Sequence, residues 1–91
     1  MEPVHSAAKR NDVEALRVLL DEEPALIEAG ASFSPLVCAC LAGSVDAARL
    51  LIDRGADMTM RNTTRMTPFL WACSAGHSDM VALLLDRGGD P

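Results

Sequence analysis

The sequence has few aromatic residues. Of its 91 residues, two are phenylalanine, one is tryptophan and none is tyrosine. Hydrophobic residues nevertheless make up 49% of the chain, so a core must be assembled mainly from leucine, valine, alanine, methionine and cysteine. Such small side chains suit closely packed helices.

The chain also has little positive charge and no long apolar run. Lys and Arg number 8 against 13 Asp and Glu, which gives a formal net charge of −5. Binding to phosphate backbones needs clustered basic residues, so nucleic acid is not an expected partner. No run approaches the roughly 20 apolar residues that cross a bilayer, and the first residues lack the apolar centre of a signal peptide. We therefore expect no membrane partner and a cytoplasmic or nuclear location.

The spacing of the cysteine and histidine residues does not indicate a reactive site. Cys38, Cys40 and Cys73 form an odd set without a secretory signal, which argues against a disulfide framework. Cys40 and Cys73 are expected to pack as small buried hydrophobes. No zinc spacing is present, and no nucleophile and base stand at a suggestive spacing. We expect no catalysis, no metal and no cofactor.

The strongest signal is an internal repeat. Ser34-Pro35-Leu36 recurs 33 residues later as Thr67-Pro68-Phe69. The other segments matched in the same register are 39–40 with 72–73, 50–52 with 83–85, and 53–55 with 86–88. An earlier copy, from Pro3 to Leu20, fits at an offset of 32. A period of this length is typical of architectures that stack one structural unit on the next.

Each copy reads as a helical hairpin followed by a connector. A proline opens the first segment, where its missing amide hydrogen loses no bond. Asn11, Gly43 and Gly76 end that segment, and these residue types tolerate a left-handed backbone. The second segment has apolar residues at helical spacing, as in Met80 and Leu83.

Several of these repeated segments resemble the ankyrin-repeat family. The segments that match the family's repeat motif are Thr67-Pro68-Phe69, Ala72-Cys73, Gly76-His77, Leu83-Leu84-Leu85 and Gly55-Ala56-Asp57. The resemblance implies an all-α solenoid of helix-turn-helix units joined by hairpin-like connectors. It implies one domain over residues 1–91, with repeats at about 1–33, 34–66 and 67–91. The family histidine after Thr-Pro-Leu survives only as His5, so the other junctions are expected to depend more on packing.

The resemblance also implies a non-catalytic module that binds another protein or a peptide on its concave face. The residues it assigns to partner binding are Phe33, Leu41, Arg61, Thr63, Thr64, Met66 and Ser74. Phe33 and Met66 would form an apolar pair flanked by polar groups, which is a plausible contact surface. The alternative for these two is that they merely cover the hairpins. Lys9 and Arg10 would make one end of the groove basic, which favours a partner with an acidic end and an apolar anchor.

A structural role is the alternative function. In that interpretation the chain is the capped start of a longer array whose binding site lies beyond residue 91. Val81 and Leu85 are four residues apart and share one helix face, which in the resembling family packs on the following repeat. We therefore expect either that the protein continues past Pro91 or that the chain self-associates through Val81 and Leu85.

Overall fold

The computed structural model describes residues 3–28, 33–58 and 66–87. These residues contain helices and no strand. The elements in chain order are α1 (Pro3–Lys9), α2 (Val13–Glu22), a short 3₁₀ helix (Pro24–Glu28), α3 (Pro35–Ala42), α4 (Val45–Asp53), α5 (Pro68–Ala75) and α6 (Ser78–Asp86). The predicted all-α architecture of paired helices is confirmed, and the 3₁₀ helix is an addition that the repeat pattern did not predict.

A side-chain cap and a proline start both α3 and α5. The Ser34 hydroxyl accepts a hydrogen bond from the Val37 amide at 3.4 Å, and the Thr67 hydroxyl accepts one from the Leu70 amide at 3.3 Å. Both contacts satisfy an amide that the first turn of a helix leaves without a partner. The local sequence therefore specifies where these helices begin.

A left-handed residue ends the first helix of each pair. The φ angles are 58° at Asn11, 74° at Gly43 and 77° at Gly76. Glycine adopts this conformation without steric cost, and asparagine is the residue that most often replaces it there. The predicted helix ends are thus confirmed, and the chain turns at the same place in all three pairs.

The six helices form two layers. Helices α1, α3 and α5 contact one another in sequence in one layer, and α2, α4 and α6 do the same in the other. The fully enclosed residues between them are small or aliphatic: Ala8, Leu16, Leu36, Ala39, Cys40, Ala47, Ala48, Leu51, Ala72, Met80 and Leu84. Alanine and cysteine at the contacts let neighbouring helices approach closely, as the composition predicts.

Hydrogen bonds also cross both junctions between helix pairs, and they do not come from the position that the family histidine occupies after Thr-Pro-Leu. The Ser44 hydroxyl donates to the Lys9 carbonyl at 2.9 Å. One repeat later, His77 Nε2 lies 2.9 Å from the Leu41 carbonyl, to which it donates. The polar bridge therefore comes from the residue that precedes the second helix.

Cys73 does not follow the prediction made for it. Cys40 is completely buried, as expected, but its equivalent Cys73 is exposed. Helix α5 lies against α3 and covers Cys40. Among the described residues, no helix lies on the corresponding side of α5, so the same residue type at the same repeat position meets solvent.

Candidate functional site

One face of the first-helix layer carries Leu41 and Ser74, two of the seven predicted partner-binding residues. On each first helix, three positions spaced by three and four residues share a side. These positions, here called the groove face, are Ser6, Lys9 and Arg10 on α1, Cys38, Leu41 and Ala42 on α3, and Trp71, Ser74 and Ala75 on α5. Because the three helices lie side by side, the positions form adjacent rows.

An aromatic pair occupies the groove face near α5. The ring centroids of Phe33 and Trp71 are 5.7 Å apart, and the rings are tilted by 43°. Offset or tilted rings at this separation attract each other beyond their burial of apolar area. Phe33 remains 44% exposed. The pair therefore presents an apolar surface that is partly exposed.

Trp71 is a candidate site residue that the sequence analysis did not single out. It lies 33 residues after Cys38 and one helical turn before Ser74, so the repeat register and the helical period together place it on the groove face. Its indole N–H is buried and has no acceptor in the part of the chain that the structure describes. The ring position is consequently set by packing, including the contact with Phe33, and not by a hydrogen bond.

The other predicted residues fall into two groups. Ser74 is exposed, whereas Leu41 and Met66 are half-buried, so Met66 offers less surface than the equivalent Phe33. Arg61, Thr63 and Thr64 lie outside the described residues. The structure thus brings Leu41 and Ser74 onto the face that also holds the aromatic pair.

Positive charge at the α1 end of the groove face is smaller than the sequence pattern indicates. The Arg10 guanidinium is paired with the Asp12 carboxylate at 3.1 Å. Lys9 has no such ion pair in the described part of the chain, and its charge opposes the rise that burial causes in the pKa of the Cys38 thiol. Lys9 is therefore the main source of positive potential at this end.

The thiols of Cys38 and Cys40 are held in their neutral form. Burial raises the pKa of the Cys40 thiol to about 12, and it also raises the pKa of Cys38. A thiol held in its neutral form is a poor nucleophile and a poor metal ligand. Within residues 3–28, 33–58 and 66–87, no group of three or more His, Cys, Asp or Glu side chains is placed to hold a metal ion.

No described helix has the length and apolar character needed to span a membrane.

Comparison with known proteins finds a family match and a similar fold. A sequence model of ankyrin repeats, a family whose members carry many copies, matches residues 36–85, which is more than half of the chain. Comparison with curated protein sequences finds no match.

A similar solved structure is the complex of the Bd0816 predatory endopeptidase from Bdellovibrio bacteriovorus with immunity protein Bd3460. The matched chain in that complex superimposes with a TM-score of 0.89 at 18% sequence identity. The match covers 99% of this chain and 48% of the other. The chain thus spans about half the length of the chain it matches, and at this identity the likeness concerns the fold alone.

Proposed function

The chain belongs to the ankyrin-repeat family, and from this premise we propose that it is a non-catalytic module that binds a segment of another protein on its groove face. Ankyrin repeats generally mediate protein–protein interaction. The observation that carries the proposal is the Phe33–Trp71 pair, which presents a partly exposed aromatic surface on that face. The similar chain from the endopeptidase and immunity protein complex is a precedent for this fold within a protein assembly.

The side chains on the groove face indicate which residues the partner segment carries. Aromatic side chains in partly enclosed positions are the usual energetic centres of protein interfaces. The segment therefore carries an apolar anchor that contacts Phe33 and Trp71. Lys9 lies at the other end of the rows, so an acidic residue of the partner is favoured there. The net charge of −5 makes a polyanionic partner unfavourable.

Peptide selection against the folded chain tests this proposal. Peptides from a random displayed library are selected on the 91-residue chain, and the affinity of the strongest binders is measured by calorimetry. We expect the selected peptides to share an apolar residue near an acidic one. Phe33→Ser with Met66→Ser should weaken their binding by about tenfold or more, because the anchor loses the Phe33 ring and the equivalent apolar side chain of Met66 is removed as well.

Val18→Ser is the matched control for the double variant. Val18 is an exposed apolar residue, 52% accessible, on α2 in the other layer. Removal of its apolar surface should leave the affinity unchanged. Equal binding by the parent and the Phe33 and Met66 double variant, with helical circular dichroism intact in both, would contradict the proposed site. Peptides whose binding depends on Val18 would place the interaction on the other layer.

A further inference from the structure

The indole N–H of Trp71 is a buried hydrogen-bond donor that has no acceptor among the described residues. Tryptophan can donate this one side-chain hydrogen bond and can accept none. In folded proteins most buried polar groups have a partner, and an unpaired one is costly because it has lost its contacts with water. A donor left unpaired on the groove face can gain its acceptor from a bound partner.

The indole lies at the end of the groove face where the first helices begin. Trp71 is in the first turn of α5, and its own amide donates to the Thr67 carbonyl at 3.0 Å. Long side chains on a helix lean toward its N-terminus, so the ring extends toward the start of α5. Helix α3 lies beside α5, and Phe33 directly precedes its capping residue Ser34. The contact between the two aromatic rings follows from this arrangement.

Phe33 and Trp71 differ in how firmly they are held. Trp71 packs against the hydrophobic core, and its backbone is part of a helix. Phe33 lies in a bend outside the helices and is 44% exposed. The Phe33 ring therefore has room to turn to another rotamer, whereas a shift of the indole would disturb the core. Access to the indole N–H is accordingly gained by displacement of Phe33.

The main chain of a partner is the acceptor that fits a buried neutral donor. A carbonyl costs much less free energy than a carboxylate when it is withdrawn from water. Carbonyls inside a partner helix already accept a hydrogen bond from the amide four residues later. An extended segment has no internal hydrogen bonds, so its carbonyls are available. The donor therefore favours an extended partner segment over a helical one.

We propose that Trp71 selects partner segments that bind in an extended conformation, by donating its indole N–H to a backbone carbonyl next to the apolar anchor. The anchor displaces the Phe33 ring and contacts the indole, and the carbonyl reaches Nε1 in the same movement. This inference rests on the proposed function, since it concerns the same groove face and the same partner segment. The hydrogen bond fixes the register of the segment, which apolar contacts alone leave open.

An isosteric replacement of Trp71 tests the donor. Trp71 is the single tryptophan of the chain, so a tryptophan-requiring expression host supplied with benzothienylalanine replaces this residue alone. The analogue keeps the shape of the indole and carries sulfur in place of the N–H. It should weaken binding of the peptides selected on the parent chain by about tenfold, because their carbonyl then lacks its donor. The free energy of unfolding in urea should stay equal or rise, since the free chain loses a buried donor that had no partner.

Ester-substituted peptides locate the acceptor. Each amide of a selected peptide is replaced in turn by an ester, whose carbonyl is a weaker acceptor. One ester next to the apolar anchor should weaken binding to the parent chain several-fold and have no effect on binding to the analogue chain. An ester distant from the anchor is the matched control and should act equally on both chains. In NMR spectra of the parent chain, the single indole N–H resonance should move downfield when the unmodified peptide binds.

Collisional quenching of Trp71 fluorescence tests the displacement of Phe33. Phe33→Ala should increase quenching by acrylamide several-fold in the free chain, because the indole loses its cover. Val18→Ala, on α2 in the other layer, is the matched control and should leave quenching unchanged. Equal quenching in the parent and in Phe33→Ala would contradict the role of Phe33 as the cover.

Three further outcomes would overturn the proposal. In the first, the analogue chain binds the peptides as tightly as the parent does, which removes the donor and leaves the proposed function intact. In the second, the analogue clearly lowers the free energy of unfolding, which means that the indole N–H already has an acceptor in the free chain. In the third, the peptides gain helical circular dichroism on binding, and no ester position distinguishes the two chains.

Failure of the proposed function gives a different result. The selection then yields no binding peptide, or it yields peptides whose affinity does not depend on Phe33 and Met66. In either case the inference about Trp71 fails together with the proposed function.

Discussion

The second and third helix pairs have closely matching sequences but different surroundings. Pair α3 and α4 is enclosed by a neighbour on each side, whereas pair α5 and α6 has a described neighbour on one side. Cys40 is buried and its equivalent Cys73 is exposed, although both follow an alanine at the same point of the repeat. The burial of a residue in this fold is therefore set by the adjacent pair as much as by its own sequence. Repeat proteins in general sum local stability and nearest-neighbour contacts.

The difference in support between the second and third helix pairs is tested most strongly by replacing one core leucine of each pair with alanine. Leu51 and Leu84 are equivalent and both are fully buried. Leu51→Ala should cost about 4 kcal/mol, since it leaves a cavity between two fixed neighbours. Leu84→Ala should cost about 3 kcal/mol, because the open side of its pair can relax into the space. Urea denaturation followed by circular dichroism measures both losses.

The test depends on which of the two variants, Leu51→Ala or Leu84→Ala, loses more of the free energy of unfolding. If Leu84→Ala is as costly as Leu51→Ala or more so, the third pair is as rigid as the second, and the idea of a less supported end is wrong. A conservative Leu51→Met and Leu84→Met pair, which roughly preserves volume, should cost little at either position.

Much of the fold follows from the sequence because the same local signals recur: a proline and a left-handed residue in all three repeats, and a capping hydroxyl in two of them. Proline and a capping hydroxyl start a helix, and glycine or asparagine ends it, so the boundaries around Ser34 and Gly43 could be predicted without any tertiary information. The exposure of Cys73 could not be predicted, since it depends on which helices pack against α5. The 3₁₀ helix Pro24–Glu28 was also missed because the connector that contains it matches nothing in the other copies.

A second test compares two glycines that share a conformation and differ in surroundings. Gly43 and Gly76 have φ angles of 74° and 77°. A Cβ atom at Gly43 would lie 2.8 Å from His77 Nδ1, whereas one at Gly76 would meet nothing within 4 Å. Gly76→Ala should cost about 1 kcal/mol from backbone strain alone. Gly43→Ala should cost about 2 kcal/mol, because the imidazole must also move away from the Leu41 carbonyl.

Removal of the imidazole isolates the second part of that cost. In a His77→Ala background, Gly43→Ala should destabilise the chain no more than Gly76→Ala does, as measured by the free energy of unfolding in urea. If the two alanine variants are equally destabilised in the parent chain, the imidazole moves without cost and the hydrogen bond to Leu41 contributes nothing.

The sequence analysis assigned several residues to the candidate site and did not identify Trp71. Phe33, Leu41 and Ser74 were placed on the binding face by resemblance to equivalent positions in the family. Trp71 was not assigned to the site, because its repeat equivalents are Ser6 and Cys38, which give no indication of an aromatic cluster. The contact between Trp71 and Phe33 joins a connector to a helix, and such a pairing depends on rotamers and backbone geometry that no periodicity encodes.

The smallest expected effect concerns the two ion pairs that link successive helix pairs, and it separates apolar packing from electrostatics. Arg54 pairs with Asp21, and Arg87 pairs with Asp53; the arginine side chains are 34% and 33% exposed, and the aspartates 59% and 50%. With nearly equal exposure, each pair should contribute a coupling of about 0.5 kcal/mol in a double-mutant cycle with alanine. Both couplings should shrink in high salt, since water and ions reach the charges. The third helix pair would then differ from the second in its apolar packing and resemble it in its charged contacts. If the coupling between Arg87 and Asp53 vanishes while that between Arg54 and Asp21 persists, the end of α6 frays. The weaker support of the third helix pair would then extend from its uncovered side to its junction with the second pair.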